Sequence, residues 1–156
     1  MTANHRGIAT LASAMMVCFF VLSTMEPDFV VLHFYQSVIY LVIVLMLFYF
    51  EDRWAYMLGM MVPAVWLLIA YGLGMVGGAM RQVSHLMRAQ RPTSDVSTVV
   101  IIMVILAVGL ISASAYRWKR EYAGQGKTLQ TVAVSSVVVI AYYGVLIYWF
   151  FKTFPG

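Results

Sequence analysis

The chain is poor in charge. Only 10% of its 156 residues are Asp, Glu, Lys or Arg, whereas 63% are hydrophobic. Soluble domains carry about 25% charged residues, so the composition excludes an ordinary soluble domain. A single cysteine, Cys18, excludes a disulfide within the chain, and we interpret it as a small apolar side chain. The net charge of +4 lies in short segments between apolar runs, where it indicates topology and lipid contact rather than nucleic-acid binding.

Ionised residues are also missing from the middle of the long apolar segments. A charge buried in a bilayer is energetically expensive, and such residues mark proton paths, ion sites and counter-ions. Their absence disfavours a proton-coupled carrier and an intramembrane protease. The motifs H-E-x-x-H, C-x-x-C and G-x-S-x-G do not occur either. We therefore expect a protein that is not an enzyme.

What the sequence does contain is five apolar runs of membrane-spanning length. A transmembrane helix needs about 20 mostly apolar residues, each adding about 1.5 Å of rise. The runs cover residues 7–25, 29–50, 54–78, 96–116 and 128–151. Pro63 lies inside the third run, where it removes one backbone hydrogen bond and should bend the helix. The prediction is an all-α integral membrane protein, a single domain folded as a bundle of five transmembrane helices.

The end of the third run is rich in glycine. Ala70, Gly74 and Gly78 recur there every four residues. On a continuous helix they would share one face and let a neighbouring helix approach closely, as small residues do in membranes. We expect the other helices to pack against this face. Gly109 and Ala113 repeat the spacing in the fourth run.

Residues 80–90 have an amphipathic pattern. Arg81, His85 and Arg88 fall at helical spacing on one face, and Arg91 follows shortly after. This pattern predicts a segment at the membrane interface whose arginines dock lipid head groups or an acidic partner. An ordinary solvated face, with the long side chains reaching into water, is the alternative.

Four polar residues form a stripe on the second run: His33, Gln36, Ser37 and Tyr40, spaced i, i+3, i+4 and i+7. One interpretation is hydrogen bonding between helices, which contributes roughly 0.6–2 kcal/mol for each bond in a membrane. The other makes His33 an axial ligand of haem or chlorophyll, with His85 as a second ligand.

Basic residues differ in number between the two sides of the predicted bundle. One side carries six: Arg6, Arg53, Arg117, Lys119, Arg120 and Lys127. The other side carries four: Arg81, Arg88, Arg91 and Lys152. The positive-inside rule then predicts a cytoplasmic N-terminus and an outside C-terminus, in a bacterial inner membrane.

The functional hypothesis is a non-catalytic subunit. Such a chain would pack against lipids and other integral membrane subunits in a respiratory, photosynthetic or transport assembly, without a cofactor of its own. The alternatives are an electron-transfer subunit that ligates haem or chlorophyll through His33, and a homo-oligomeric channel or carrier for a small neutral solute.

Overall fold

The computed structural model describes residues 3–49, 51–88, 94–122, 124 and 126–153. Within these ranges there are six α-helices: α1 (Ala3–Met25), α2 (Val30–Phe48), α3 (Asp52–Gly72), α4 (Met75–Met87), α5 (Asp95–Glu121) and α6 (Thr128–Thr153). A 3-10 turn, Pro27–Phe29, joins α1 to α2. All helices except α4 are long and apolar enough to span a membrane. The prediction of an all-helical chain with five membrane-length helices is therefore confirmed.

Four helices form a closed ring, in the order α1, α2, α3 and α5, in which each packs against two neighbours. The chain direction alternates around the ring, so every neighbouring pair is antiparallel, as in up-and-down four-helix bundles. The core between them holds side chains that are at most 1% exposed: Met15, Phe19, Tyr40, Met103 and Ala107. Helices in a membrane are held together by close packing and dispersion contacts rather than by removal of apolar surface from water, so these tightly packed side chains make the ring the centre of the fold.

The other two helices lie outside the ring. Helix α6 packs on α3 and, less extensively, on α2. The Tyr143 hydroxyl of α6 donates to the Val62 carbonyl of α3 at 3.1 Å. Helix α4 packs on α5 and α3 at the end of the ring where α1 and α3 finish. The opposite end, which carries the six basic residues predicted to be cytoplasmic, is called the basic end below.

Helix α3 lies very close to α5 at Gly59. A Cβ atom on this glycine would lie 2.5 Å from Ser114 Oγ and 3.3 Å from Ser114 Cβ. Ala55, one turn earlier on α3, is fully buried. The small-residue face that permits close packing of α3 therefore runs through Ala55 and Gly59, near the start of the helix.

The third predicted helix is shorter than expected. The prediction of one continuous helix over 54–78 is wrong, because α3 ends at Gly72 and Gly74 has a left-handed backbone with φ = 75°. Glycine lacks a Cβ atom and reaches this region without the steric cost that other residues incur. Ala70 and Gly78 therefore lie on two different helices and do not form one face with Gly74.

Gly109 and Ala113, the small residues predicted to pack in the fourth apolar run, lie on α5. A Cβ atom on Gly109 would make an ordinary 3.6 Å contact with Leu11 of α1. Ala113 is half-buried and packs against the core. Helix α5 continues past the predicted end of its run at residue 116 to Glu121.

Candidate functional site

A buried histidine pairs with a carboxylate at the end of the ring opposite the basic end. His33 Nε2 of α2 lies 3.0 Å from Glu26 Oε2, which follows α1. The turn Pro27–Phe29 reverses the chain and brings the two side chains together. The imidazole is 6% exposed and the carboxylate 32%. Donation from Nε2–H to the carboxylate fixes the tautomer of the neutral ring, so that Nδ1 is an acceptor; this nitrogen is buried and has no hydrogen-bond partner among the described residues.

The pair borders an outer cavity of about 360 Å³, lined by residues of α2, α4, α5, α6 and the joining turns. Its polar lining residues are Glu26, His33 and Ser97. Two aromatic rings, Phe29 and Phe150, line it with their centroids 6.3 Å apart and their planes 25° from parallel. This volume lies within the range of about 300–1,000 Å³ in which proteins hold small molecules.

An inner chamber of about 50 Å³ lies deeper between the helices. Its lining includes Phe19, Gln36 and Trp66, together with His33, which also lines the outer cavity. The Gln36 side chain is only 7% exposed in total, and none of the described residues makes a hydrogen bond to its amide. At about 30 Å³ for each water, the chamber has room for one or two water-sized groups.

The break between α3 and α4 forms part of both cavities. Leu73 and Met75, on either side of Gly74, line the inner chamber and the outer cavity alike. Ala70 lines the inner chamber and Gly78 lines the outer cavity. The glycine-rich segment that the sequence predicted as a packing face thus contributes to the walls of a ligand-sized space.

The predicted polar stripe on α2 divides into two pairs. His33 and Gln36 line the cavities, whereas Ser37 and Tyr40 line neither. The Ser37 hydroxyl donates to the Phe34 carbonyl of its own helix at 2.7 Å. Tyr40 is fully buried in the core. His33 and Gln36 are therefore the stripe residues placed to meet a ligand.

The residues predicted on the amphipathic segment lie on or near α4. His85 is half-buried and does not line either cavity, so the structure does not bring it together with His33 there. Arg81 and Arg88 are exposed. Arg91 lies outside the described residues.

Sequence reasoning missed a second polar cluster, which lies at the basic end. His5 Nδ1 of α1 is 3.4 Å from Asp52 Oδ1 of α3, and both side chains are largely buried. The His5 ring stands edge-on to Tyr56, with the centroids 6.2 Å apart. His5 and Asp52 are far apart in the chain, so no local pattern would have paired them.

Trp118 of α5 and Tyr122, the residue that follows α5, also belong to this cluster. The Arg53 guanidinium carbon lies 5.9 Å from the Trp118 ring centroid and 6.0 Å from that of Tyr122, both within cation–π range. Burial raises the pKa of Tyr122, and the nearby carboxylate of Asp52 adds to this effect. This arrangement anchors α3 to the end of α5 and does not border either cavity of the opposite end.

No protein-family model, curated protein or solved structure matches this chain.

Proposed function

We propose that this chain is a non-catalytic integral membrane protein that holds a small lipid-soluble molecule in the outer cavity beside Glu26 and His33. The main support is the cavity itself, a largely apolar space of about 360 Å³ whose polar lining residues are the Glu26–His33 pair and Ser97. Because the chain has five membrane-length helices, a molecule dissolved in the bilayer can reach this cavity from the lipid. Orientation by a few polar groups in an otherwise apolar pocket is the usual arrangement of small-molecule sites.

Binding can be measured with 2-methylnaphthalene as an apolar probe. The purified protein in nanodiscs is equilibrated with the probe, and the amount retained beyond that in empty nanodiscs is quantified. We expect saturable retention of about one molecule for each protein. Gly78→Leu should abolish it, because Gly78 lines the outer cavity and the new side chain would occupy that space.

Gly77→Leu is the matched control. A Cβ atom on Gly77 meets nothing within 4 Å, so a side chain there extends into open space. Retention should survive in this variant. Retention that rises linearly with probe concentration, or that is equal in the two leucine variants, would refute binding in the cavity.

A second candidate is membership of a larger membrane assembly. Helices α4 and α5 border an apolar groove of about 550 Å³. Two of its methionines are strongly exposed, Met80 at 70% and Met87 at 83%. Exposed apolar patches mark interaction surfaces, and methionine suits adaptable ones. We expect a stoichiometric partner to co-purify in mild detergent and to be lost in Met87→Asp but retained in Leu129→Asp, a residue 81% exposed on α6.

Ligation of haem or chlorophyll by His33 stays a hypothesis. Coordination through Nε2 would require this nitrogen to leave the Glu26 carboxylate, which it contacts at 3.0 Å. The purified protein should then show a Soret or chlorophyll absorbance band that disappears in His33→Ala. A protein without such a band, purified from cells that make the pigment, would remove this hypothesis.

A homo-oligomeric channel or carrier also stays a hypothesis. Location in a bacterial inner membrane, with the basic end in the cytoplasm, is likewise a hypothesis. Flux of a small neutral solute into proteoliposomes, compared with empty liposomes, tests the first. Labelling of a cysteine placed at Lys127 or at Lys152 by a membrane-impermeant reagent on intact cells tests the orientation, because the two residues lie near opposite ends of α6.

A further inference from the structure

We infer that the molecule held in this site is a quinone-type ring, with one carbonyl oxygen in the inner chamber against the Gln36 amide. The inference rests on the proposed function and names the class of ligand. It is carried by the unpaired amide, the size of the two spaces, their aromatic walls and the distribution of charge around them.

The position of the Gln36 amide favours a ligand that forms a hydrogen bond with it. The Gln36 side chain is largely buried, lines the inner chamber and receives no hydrogen bond from the described residues. Gln36 is not among the residues whose unpaired side-chain atoms are completely inaccessible, so its amide remains open to the chamber and can pair with what lies there. A carbonyl oxygen in the chamber would accept a hydrogen bond from the amide N–H.

The sizes of the two spaces determine which part of the ligand lies where. The inner chamber, about 50 Å³, accepts little more than one oxygen with its carbon. The outer cavity, about 360 Å³, has room for the rest of a ring system. The two spaces share Leu32, His33, Leu73 and Met75 in their walls, so they adjoin, and the inferred ligand would extend from one to the other between these side chains.

Aromatic walls favour a flat ring over a flexible chain. Phe19 and Trp66 line the inner chamber and meet edge to face, with centroids 6.1 Å apart. Phe29 and Phe150 line the outer cavity in a nearly parallel arrangement. Offset-stacked and edge-to-face contacts give a planar π-system specific contacts that an alkyl chain cannot make.

The charges argue for a neutral ligand. Among the residues that the structure describes, no Lys or Arg lines either cavity, so a phosphate or carboxylate would find no cation there except a protonated His33. The one acidic residue in the described part of the lining, Glu26, already contacts His33 at 3.0 Å. A neutral ring with carbonyl oxygens fits this lining, whereas an anionic head group does not.

Menadione and 2-methylnaphthalene form a matched pair of probes, because they share the methyl-substituted bicyclic ring and differ in the two carbonyl oxygens of menadione. With the nanodisc assay above, and after correction for partition into empty nanodiscs, menadione should bind about 3–10-fold more tightly, as one hydrogen bond predicts. Gln36→Met, which keeps the side-chain length but removes the amide, should reduce menadione to the affinity of 2-methylnaphthalene. Gln130→Leu on α6, at an exposed position, should change neither affinity.

The outcomes separate this inference from the proposed function. Equal affinities of the two probes in the unmodified protein, or unchanged menadione binding in Gln36→Met, would overturn the inference, while saturable binding of 2-methylnaphthalene would keep the proposed function. Absence of saturable binding of either probe would overturn both. If Gln36→Met binds neither probe, the same measurement is made on Gln36→Leu. Loss of binding of both probes in that variant too would show that the amide supports the fold, and the inference would fail.

Discussion

Tyr35 of α2 and Tyr142 of α6 are joined reciprocally. Their rings stack with centroids 4.4 Å apart and planes 17° from parallel. The Tyr35 hydroxyl donates to the Tyr142 carbonyl at 3.1 Å, and the Tyr142 hydroxyl donates to the Tyr35 carbonyl. Because α6 lies outside the four-helix ring and contacts α2 sparsely, this pair is the main specific link between these two helices.

Replacing Tyr142 by Phe should weaken the attachment of α6. The stacked ring remains, but one hydrogen bond is lost and the Tyr35 carbonyl loses a donor, so we expect a loss of about 1 kcal/mol in the free energy of unfolding. Unfolding by SDS in mixed micelles, followed by circular dichroism, measures the change. Tyr148→Phe, at a residue 68% exposed on the same helix, is the control. An equal loss in both variants would show that the hydroxyl of Tyr142 has no special role.

Gly59→Ala should separate α3 from α5. The added Cβ atom would lie 2.5 Å from Ser114 Oγ and 3.3 Å from Ser114 Cβ, so the hydroxyl must rotate away and the helices give slightly, and overpacking of this kind costs about 1–3 kcal/mol. In a Ser114→Gly background the same change should cost much less. The same unfolding assay applies, with Gly77→Ala as a helical glycine that has free space around it. A cost that is independent of Ser114 would contradict the contact.

Replacing Gly74 by alanine tests the helix break, because the change in the free energy of unfolding has opposite signs for a break and for a continuous helix. At φ = 75°, alanine is strained, so Gly74→Ala should destabilise the protein by about 1 kcal/mol, and Gly74→Asn by less because Asn tolerates this region. In a continuous helix, glycine to alanine would instead stabilise by about 1 kcal/mol. Gly77→Ala, inside α4, should show that stabilising effect. Stabilisation by Gly74→Ala would restore the continuous helix over 54–78.

The His5–Asp52 pair should be energetically coupled. In the intact protein, His5 Nδ1 lies 3.4 Å from Asp52 Oδ1. Removing either side chain leaves the other largely buried and without this partner. We expect His5→Ala and Asp52→Ala together to cost about 1 kcal/mol less than the sum of the two single changes. Unfolding of the four proteins in one double-mutant cycle measures this coupling. Strict additivity would mean that the two groups do not interact.

Much of the architecture was predictable because it follows from local composition. The length and hydropathy of an apolar run depend on its own residues, so five membrane-length helices could be predicted without knowing their neighbours. The spacing of His33 and Gln36 on one helical face likewise follows from helix geometry alone. What that face meets does not follow from helix geometry, and the pattern favoured hydrogen bonding between helices over ligation of a cofactor.

Composition and residue spacing are enough to predict an apolar, helical chain of five long helices with His33 and Gln36 on one face of α2. The break at Gly74, the contact of Glu26 with His33 and the position of Gln36 beside a chamber follow only from how the helices pack. The reason is physical. Helix formation in an apolar run is set by nearby residues, whereas a backbone break, an ion pair or an unfilled space depends on which helices pack together and how closely.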